Sequence, residues 1–300
     1  MAAFLDDLAD RGRSPATLAT YRAGCTFWRR ELSAWDPKLL ADPESVVTLS
    51  TLRSILRTPA VVRLKPRSRR IRLQALDGLI RCAMRHGDWH GDKPVRKLPK
   101  LRIRRTLPQY WSIPVALDFL QRIPAVSRRP YRDVAIFRLY LSAGLRLSEL
   151  LRLTRGDVDW EGHRIHVLGK GGKWRWVPLS EAAERDLLRY LDTRSDDAGP
   201  LFITPQGRPF TPSGMQKLFQ RLAQRTGHAA PGISVRNLRH TALSALLHEG
   251  LDLVSIQAIA GHDMLTTTEG YLHLEPQAVI DRVRALNPWD RLPGGGNADQ

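Results

Sequence analysis

The chain has 300 residues, 42% of them hydrophobic, and 47 Lys and Arg stand against 30 Asp and Glu, giving a formal charge of +17. That length and apolar content suit two domains with separate cores, and the charge calls for a polyanionic partner, either nucleic acid or an anionic membrane surface. No apolar run reaches the roughly 20 residues of a membrane span. Early aspartates replace a signal peptide, and the two cysteines, Cys25 and Cys82, are too few for a disulfide framework or a zinc site. A cytoplasmic, DNA- or RNA-binding protein is the expectation, with no membrane role.

The charge is concentrated in the first 110 residues, which hold 23 Lys and Arg against 10 Asp and Glu; residues 111–300 hold 24 against 20. Ser14-Pro15 supplies an N-cap and a first-turn proline, and Leu18, Tyr21, Cys25 and Trp28 recur at helical spacing through residue 34. A second helix is predicted over 67–86, with Ile71, Leu73, Leu76, Leu79, Ile80 and Ala83 on one stripe. The densest basic run, Arg63, Lys65, Arg67, Arg69, Arg70 and Arg72, leads into this helix and is read as binding the phosphates of double-stranded DNA. Residues 91–108 lack periodicity and are rich in Pro, Lys and Arg, which reads as a basic linker between a helical domain over 1–90 and a second domain over 109–290.

In that second domain helices are predicted at 114–122 and 131–143, ending at Gly144, with a short one from Ser148 to Leu153. Two strand-like runs, 164–168 and 174–178, flank Gly169-Lys170-Gly171-Gly172, a hairpin signal. Helices return at 180–192, 212–226, 234–248 and 253–260, the last capped by Asp252 and stopped by Gly261. Thr266 and Glu269 form a capping-box pattern ahead of Tyr271. A final helix at 276–286 carries Val279, Ile280, Val283 and Leu286, and residues 291–300 read as a disordered tail. The fold class is mainly α with a small β-hairpin or sheet in the second domain.

Within this frame five polar features stand in order: Arg146 in Gly-Leu-Arg-Leu-Ser-Glu149, Lys170 at the hairpin tip, Arg239-His240, His262, and Tyr271 nine residues later. Each alone has an ordinary structural explanation. Together they are the parts needed to break a phosphodiester without a metal. A phenol can attack and store the bond energy in an ester, guanidinium forks can hold the non-bridging oxygens, and an ammonium can protonate the leaving oxygen. Arg236 and Arg239 lie three apart and share a helical face with His240. Rival sites fail on spacing: Gly169–Trp174 lacks the glycine offset and Ser/Thr of a P-loop, and no metal-binding His or Cys motif occurs.

This ordered set resembles the tyrosine recombinases, in particular the Xer recombinases and phage-type integrases. The resemblance implies a two-domain, C-shaped DNA clamp that works as a tetramer on two DNA sites and uses no cofactor and no metal. Carried over to this chain, Arg146 and Arg239 hold the scissile phosphate and Lys170 protonates the 5′-oxygen. His262 supports the phosphate, Tyr271 is the nucleophile that forms a 3′-phosphotyrosyl link, Glu149 orients Arg146, and His240 is structural. Position 236 departs from the pattern, with arginine where the family has histidine. A guanidinium cannot be a general base at neutral pH, so Arg236 is expected to act electrostatically. The resemblance also suggests that the stripe on the final helix docks on a neighbouring protomer. The expected activity is Xer-like resolution of replicon dimers. The alternatives are a mobile-element integrase, a type IB topoisomerase-like enzyme, or a catalytically silent DNA-binding protein on this fold.

Overall fold

The computed structural model describes residues 1–99, 109–169, 172–195, 199–261 and 276–290. The chain divides into two compact units, Met1–Thr106 and Leu107–Gln300. Tyr271, His262 and Lys170 lie outside the described residues, as does the tail from 291.

The first unit is helical: α1 (Ala2–Asp10), α2 (Pro15–Trp35), α3 (Pro43–Val46), α4 (Leu49–Ile55), α5 (Pro59–Val62) and α6 (Pro66–His86). Ser14 caps α2 as its spacing requires, its hydroxyl accepting from the Thr17 amide. The two long helices pack on each other through Trp28, Leu73, Leu76 and Ile80, and the Trp28 indole donates to the Arg72 carbonyl at 2.8 Å. A second small cluster joins Phe4, Cys25, Ala75 and Cys82, so both thiols are buried and free. Within the stretch read as a linker, residues 91–99 make contacts with the first unit. Pro94 and Leu98 are buried and Leu98 belongs to the α2–α6 core, because a Pro-rich turn can close a core that a short helical unit leaves open.

The basic run divides by position along α5 and α6. Arg63, Lys65, Arg67 and Arg70 are exposed. Arg69 reaches back to the Val61 carbonyl at 3.4 Å, and the Arg72 guanidinium lies 4.2 Å above the Phe27 ring. These last two are half-buried on the inward-turning side of the helix, where their stems cover apolar surface.

The second unit is built around α8 (Pro130–Ala143), which follows α7 (Ile113–Val126). Eleven of the fourteen α8 residues are buried, including Arg132, Asp133 and Arg138. Buried charge requires partners. Arg132 pairs with Asp133 at 2.7 Å, and Arg138 pairs with Asp186 and donates to the Trp289 carbonyl at 2.7 Å. Beyond α9 (Leu147–Leu150) come β1 (Val158–Asp159), β2 (Arg164–Leu168) and β3 (Trp174–Pro178), an antiparallel sheet in the order β1-β2-β3. Val167 faces Arg175 and His166 faces Trp176 across the β2–β3 pair. The remaining helices are α10 (Glu181–Asp192), α11 (Pro212–Arg225), α12 (Asn237–His248), α13 (Leu253–Ala260) and α14 (Pro276–Leu286).

The stripe on α14 does not wait for a neighbour. Ile280 and Val283 are buried in this unit's own core, with Val279 and Leu286 packed at its edge, and Trp289 just beyond is fully buried. The Arg284 guanidinium and Asp290 carboxylate bond to the Leu179 carbonyl and Ala182 amide and hold the helix there. An apolar stripe adjacent to an unfilled flank of β3 and α10 buries more area at home than it would by remaining exposed. Truncating the Trp289 side chain to alanine should therefore cost about 3–5 kcal/mol, the range for a large core aromatic. Urea denaturation would read this as a lower midpoint with DNA absent; an unchanged midpoint would show that the segment is not part of the core.

Candidate active site

The site forms where four helix ends, of α8, α9, α12 and α13, meet strand β3. α8 ends at Gly144, which has φ +56; a Cβ there would come 2.9 Å from Leu243. The chain then turns into α9 with Arg146 as its N-cap. The Glu149 carboxylate accepts from the Arg146 amide at 2.7 Å, and the Arg146 guanidinium returns to the same carboxylate at 2.8 Å. Glu149 is only 3% exposed, so it must be fully partnered. Its second partner is Arg175 from β3, which donates from both terminal nitrogens, at 3.0 and 2.9 Å, to the two carboxylate oxygens. Arg239, in the first turn of α12, stands 4.0 Å from the same group.

The same three arginines also close the end of α13. The Ile259 carbonyl accepts from Arg175 at 2.9 Å, Ala260 from Arg239 at 2.7 Å, and Gly261 from Arg146 at 2.6 Å. These are the carbonyls that a helix C-terminus leaves without intrahelical partners, at the negative end of its dipole. Arg239 additionally donates to the Gly144 carbonyl at 2.8 Å. Gly261 has φ +60, which favours glycine, and a Cβ on it would press within 3.1 Å of the Arg175 guanidinium carbon.

The electrostatics follow from this geometry. Burial alone would raise the Glu149 carboxyl, but hydrogen bonds from Arg175 and Arg146 outweigh it and hold the group below its ordinary value. Burial, reinforced by the neighbouring Arg146 charge, pulls Arg239 down to about 10, which leaves it charged at neutral pH. Three guanidiniums around one carboxylate leave an excess of positive charge on half-buried side chains, which suits a phosphate diester. Tyr140, a buried phenol at the same place, is raised well above its ordinary value by desolvation, although the Arg239 and Arg236 charges act in the opposite direction. It stays protonated and is no rival nucleophile.

Of the expected residues, Arg146, Glu149 and Arg239 come together. Arg236 is exposed and is the N-cap residue of α12, one turn before Arg239, close enough for its charge to act on Tyr140; His240 is exposed on the same helix. Among the described residues no group of three or more His, Cys, Asp or Glu could hold a metal, and no helix is long and apolar enough to cross a membrane. Arg175 was not anticipated. Within Trp174-Arg175-Trp176 the strand turns its tryptophans outward. Trp174 and Trp176 are exposed and sandwich His166 at 4.3 and 4.4 Å, while Arg175 shares the inward face with Val177.

A mainly helical unit with one small antiparallel sheet and an arginine cluster gathered on one carboxylate is the tyrosine-recombinase catalytic fold. The chain superposes with a TM-score of 0.69 on XerH site-specific recombinase bound to a palindromic difH substrate, at 20% identity over 90% of this chain and 80% of that one. The corresponding score is 0.70 for a lambda integrase tetramer bound to a Holliday junction, at 16% identity over 88% and 76%. Residues 115–278 match the phage integrase family. Tyrosine recombinase XerC of Corynebacterium efficiens is 33% identical over 284 residues, 92% of this chain and 87% of that protein. Tyrosine recombinase XerC of Chromobacterium violaceum is 32% identical over 293 residues, 97% and 95% respectively. The chain belongs to the phage integrase family and is a DNA strand-transferase that works by tyrosine chemistry.

The depressed Glu149 carboxyl has a defined pH signature. Its contribution to stability is fully present above the unfolded value of about 4.3 and is lost as pH falls through the lower folded value. Glu149→Gln should leave buried arginines short of their counter-ion and cost about 3–5 kcal/mol at pH 7. It should also remove part of the wild-type loss of stability below pH 5. Denaturation midpoints between pH 3 and 7 test this; parallel profiles for the two proteins would exclude a coupled Glu149.

Proposed function

We propose that this protein is a Xer-like site-specific recombinase that cleaves and rejoins duplex DNA through a 3′-phosphotyrosyl intermediate formed on Tyr271. The observation that carries this reading is the convergence of Arg146 and Arg239 on Glu149 and on the last carbonyls of α13, directly before the segment that runs from His262 to Tyr271. The likeness to two XerC recombinases over nearly the whole chain supports it.

In this reading Arg146 and Arg239 take the non-bridging oxygens of the scissile phosphate and neutralise the charge that grows as the fifth bond forms. The Tyr271 phenol attacks phosphorus and releases its proton to solvent, the bond to the 5′-oxygen breaks, and that oxygen leaves with a proton from Lys170, which is reprotonated from water. His262 donates to the phosphate. Arg236 adds positive charge at the rim, and His240 helps shape α12. Rejoining is the reverse attack by the 5′-hydroxyl of the exchanged strand, so neither metal nor nucleotide is consumed. Strand exchange between two sites requires other copies of the chain, assembled as a tetramer on DNA, and the reaction takes place in the cytoplasm. In domain terms, residues 1–90 with the basic linker grip the duplex and 109–290 carry the chemistry. Arg236, in place of the family histidine, favours one second reading, a mobile-element integrase with the same chemistry.

Duplexes selected by the wild-type protein from random DNA, then nicked beside the cleavage position, provide the test. The wild type should accumulate a denaturant-resistant protein–DNA adduct. Tyr271→Phe should bind the same duplex with unchanged affinity and form none; an adduct from that variant would remove Tyr271 from the role.

The basic run is the second part of the proposal. Arg63, Lys65, Arg67 and Arg70 are exposed and suited to binding phosphates, whereas Arg69 and Arg72 divide their stems between DNA and their own unit. Replacing Arg63, Arg67 and Arg70 by alanine should flatten the dependence of log affinity on log salt by about 0.9 for each phosphate no longer neutralised. Arg72→Ala should instead lower the melting temperature of the first unit. An unchanged salt slope in the triple variant would make the run an ordinary solvated face.

A further inference from the structure

Arg175 has no part in the roles assigned above, yet it makes three hydrogen bonds at the centre of the site. It sits on β3, one arm of the hairpin whose turn holds Lys170, and it points inward on the core side of that strand. Its fork spans both oxygens of Glu149, and its Nε donates to the Ile259 carbonyl. Gly261 packs on the guanidinium plane, where a Cβ would lie 3.1 Å from its carbon. The fork is thus turned toward Glu149 and α13, and Arg175 is 14% exposed against 29% for Arg146.

We propose that Arg175 is a positioning residue for strand cleavage: it locks Glu149 between the two phosphate-holding arginines and ties the hairpin to the end of α13 from which the Tyr271 segment leaves. Without its fork, Glu149 keeps a single close partner. It then becomes able to turn the 4.0 Å to Arg239 and compete with the phosphate for that guanidinium. The end of α13 also loses one of the three donors that fix it. The role depends on the fork and not on charge alone, because an ammonium cannot span two carboxylate oxygens and a carbonyl from one fixed plane. The inference rests on the reading of Arg146 and Arg239 as the phosphate-holding pair.

The test measures two quantities on the selected nicked duplex with the full chain: the affinity for DNA, and the single-turnover rate of adduct formation at saturating DNA. Arg175→Lys retains the charge and loses the fork. Gly261→Ala retains every charge and presses a methyl group against the guanidinium. Both should bind DNA within about twofold of wild type and form the adduct at least tenfold more slowly, after correction for the folded fraction seen in thermal melts. In Glu149→Gln the further change Arg175→Lys should slow cleavage by less than about twofold, since residues acting through one another are not additive. Wild-type cleavage by either folded variant would overturn the proposal. So would a loss that tracks only the folded fraction, or two independent losses that multiply in the double variant. The readout counts adduct from whichever residue forms it, so a failure of Tyr271 as the nucleophile would be seen separately.

Discussion

The second unit depends on one arrangement: a single buried carboxylate and one helix end share three arginines. Glu149 cannot be removed from water without cationic partners, and the last carbonyls of α13 cannot be left unpaired. Arg146, Arg175 and Arg239 meet both demands at once, each reaching from Glu149 or its edge to one of three successive carbonyls. Because these arginines come from α9, β3 and α12, the same bonds fix three separate elements on a fourth. The charge left over is positive, and a phosphate bound there would complete the balance.

That balance explains why the surrounding fold is so heavily buried. α8 has almost no solvent-facing side and ends in Gly144, whose carbonyl receives Arg239. The helix acts as a rigid post behind the site, held by the hydrogen-bonded Arg132–Ile203 and Arg138–Asp186 pairs. The second of these pairs connects to Trp289 through the Arg138 guanidinium, so the segment after α14 is anchored to the same post that carries the turn to Arg146. Packing α14 at home closes the core on the flank of β3. The elements on either side of the Tyr271 segment, α13 before it and α14 after it, are therefore both fixed to one unit.

The first unit follows a different rule. Its core joins α2 and α6 to apolar residues of α3, α4 and α5 and to Leu98, and most of its excess charge lies on the surface. The division within the basic run shows how a strongly cationic helix still packs. Arginines on the flank facing α2 use their stems and ring-stacking planes, as Arg72 does over Phe27, while those on the outer flank keep their charges in solvent.

The sequence by itself determined the two long helices of the first unit, the helices of the second, the hairpin at 164–178, and Arg146 and Arg239 in the site. Period, caps and glycine stops are local properties, and Ser14, Asp252, Gly144 and Gly261 act where their spacing places them. Arg146, Glu149 and Arg239 were legible because their order along the chain is distinctive. Only the tertiary structure decided the rest. The inward face of β3 carries Val177 opposite Ile165 and Arg175 opposite Val167, and only the folded chain brings Glu149 within reach of Arg175 there. Residues 91–99 joined a core because a neighbouring surface was open, and the α14 stripe packed in its own unit because β3 and α10 left a flank to fill. In each case the deciding partner lies far away in sequence, and a local pattern does not contain it.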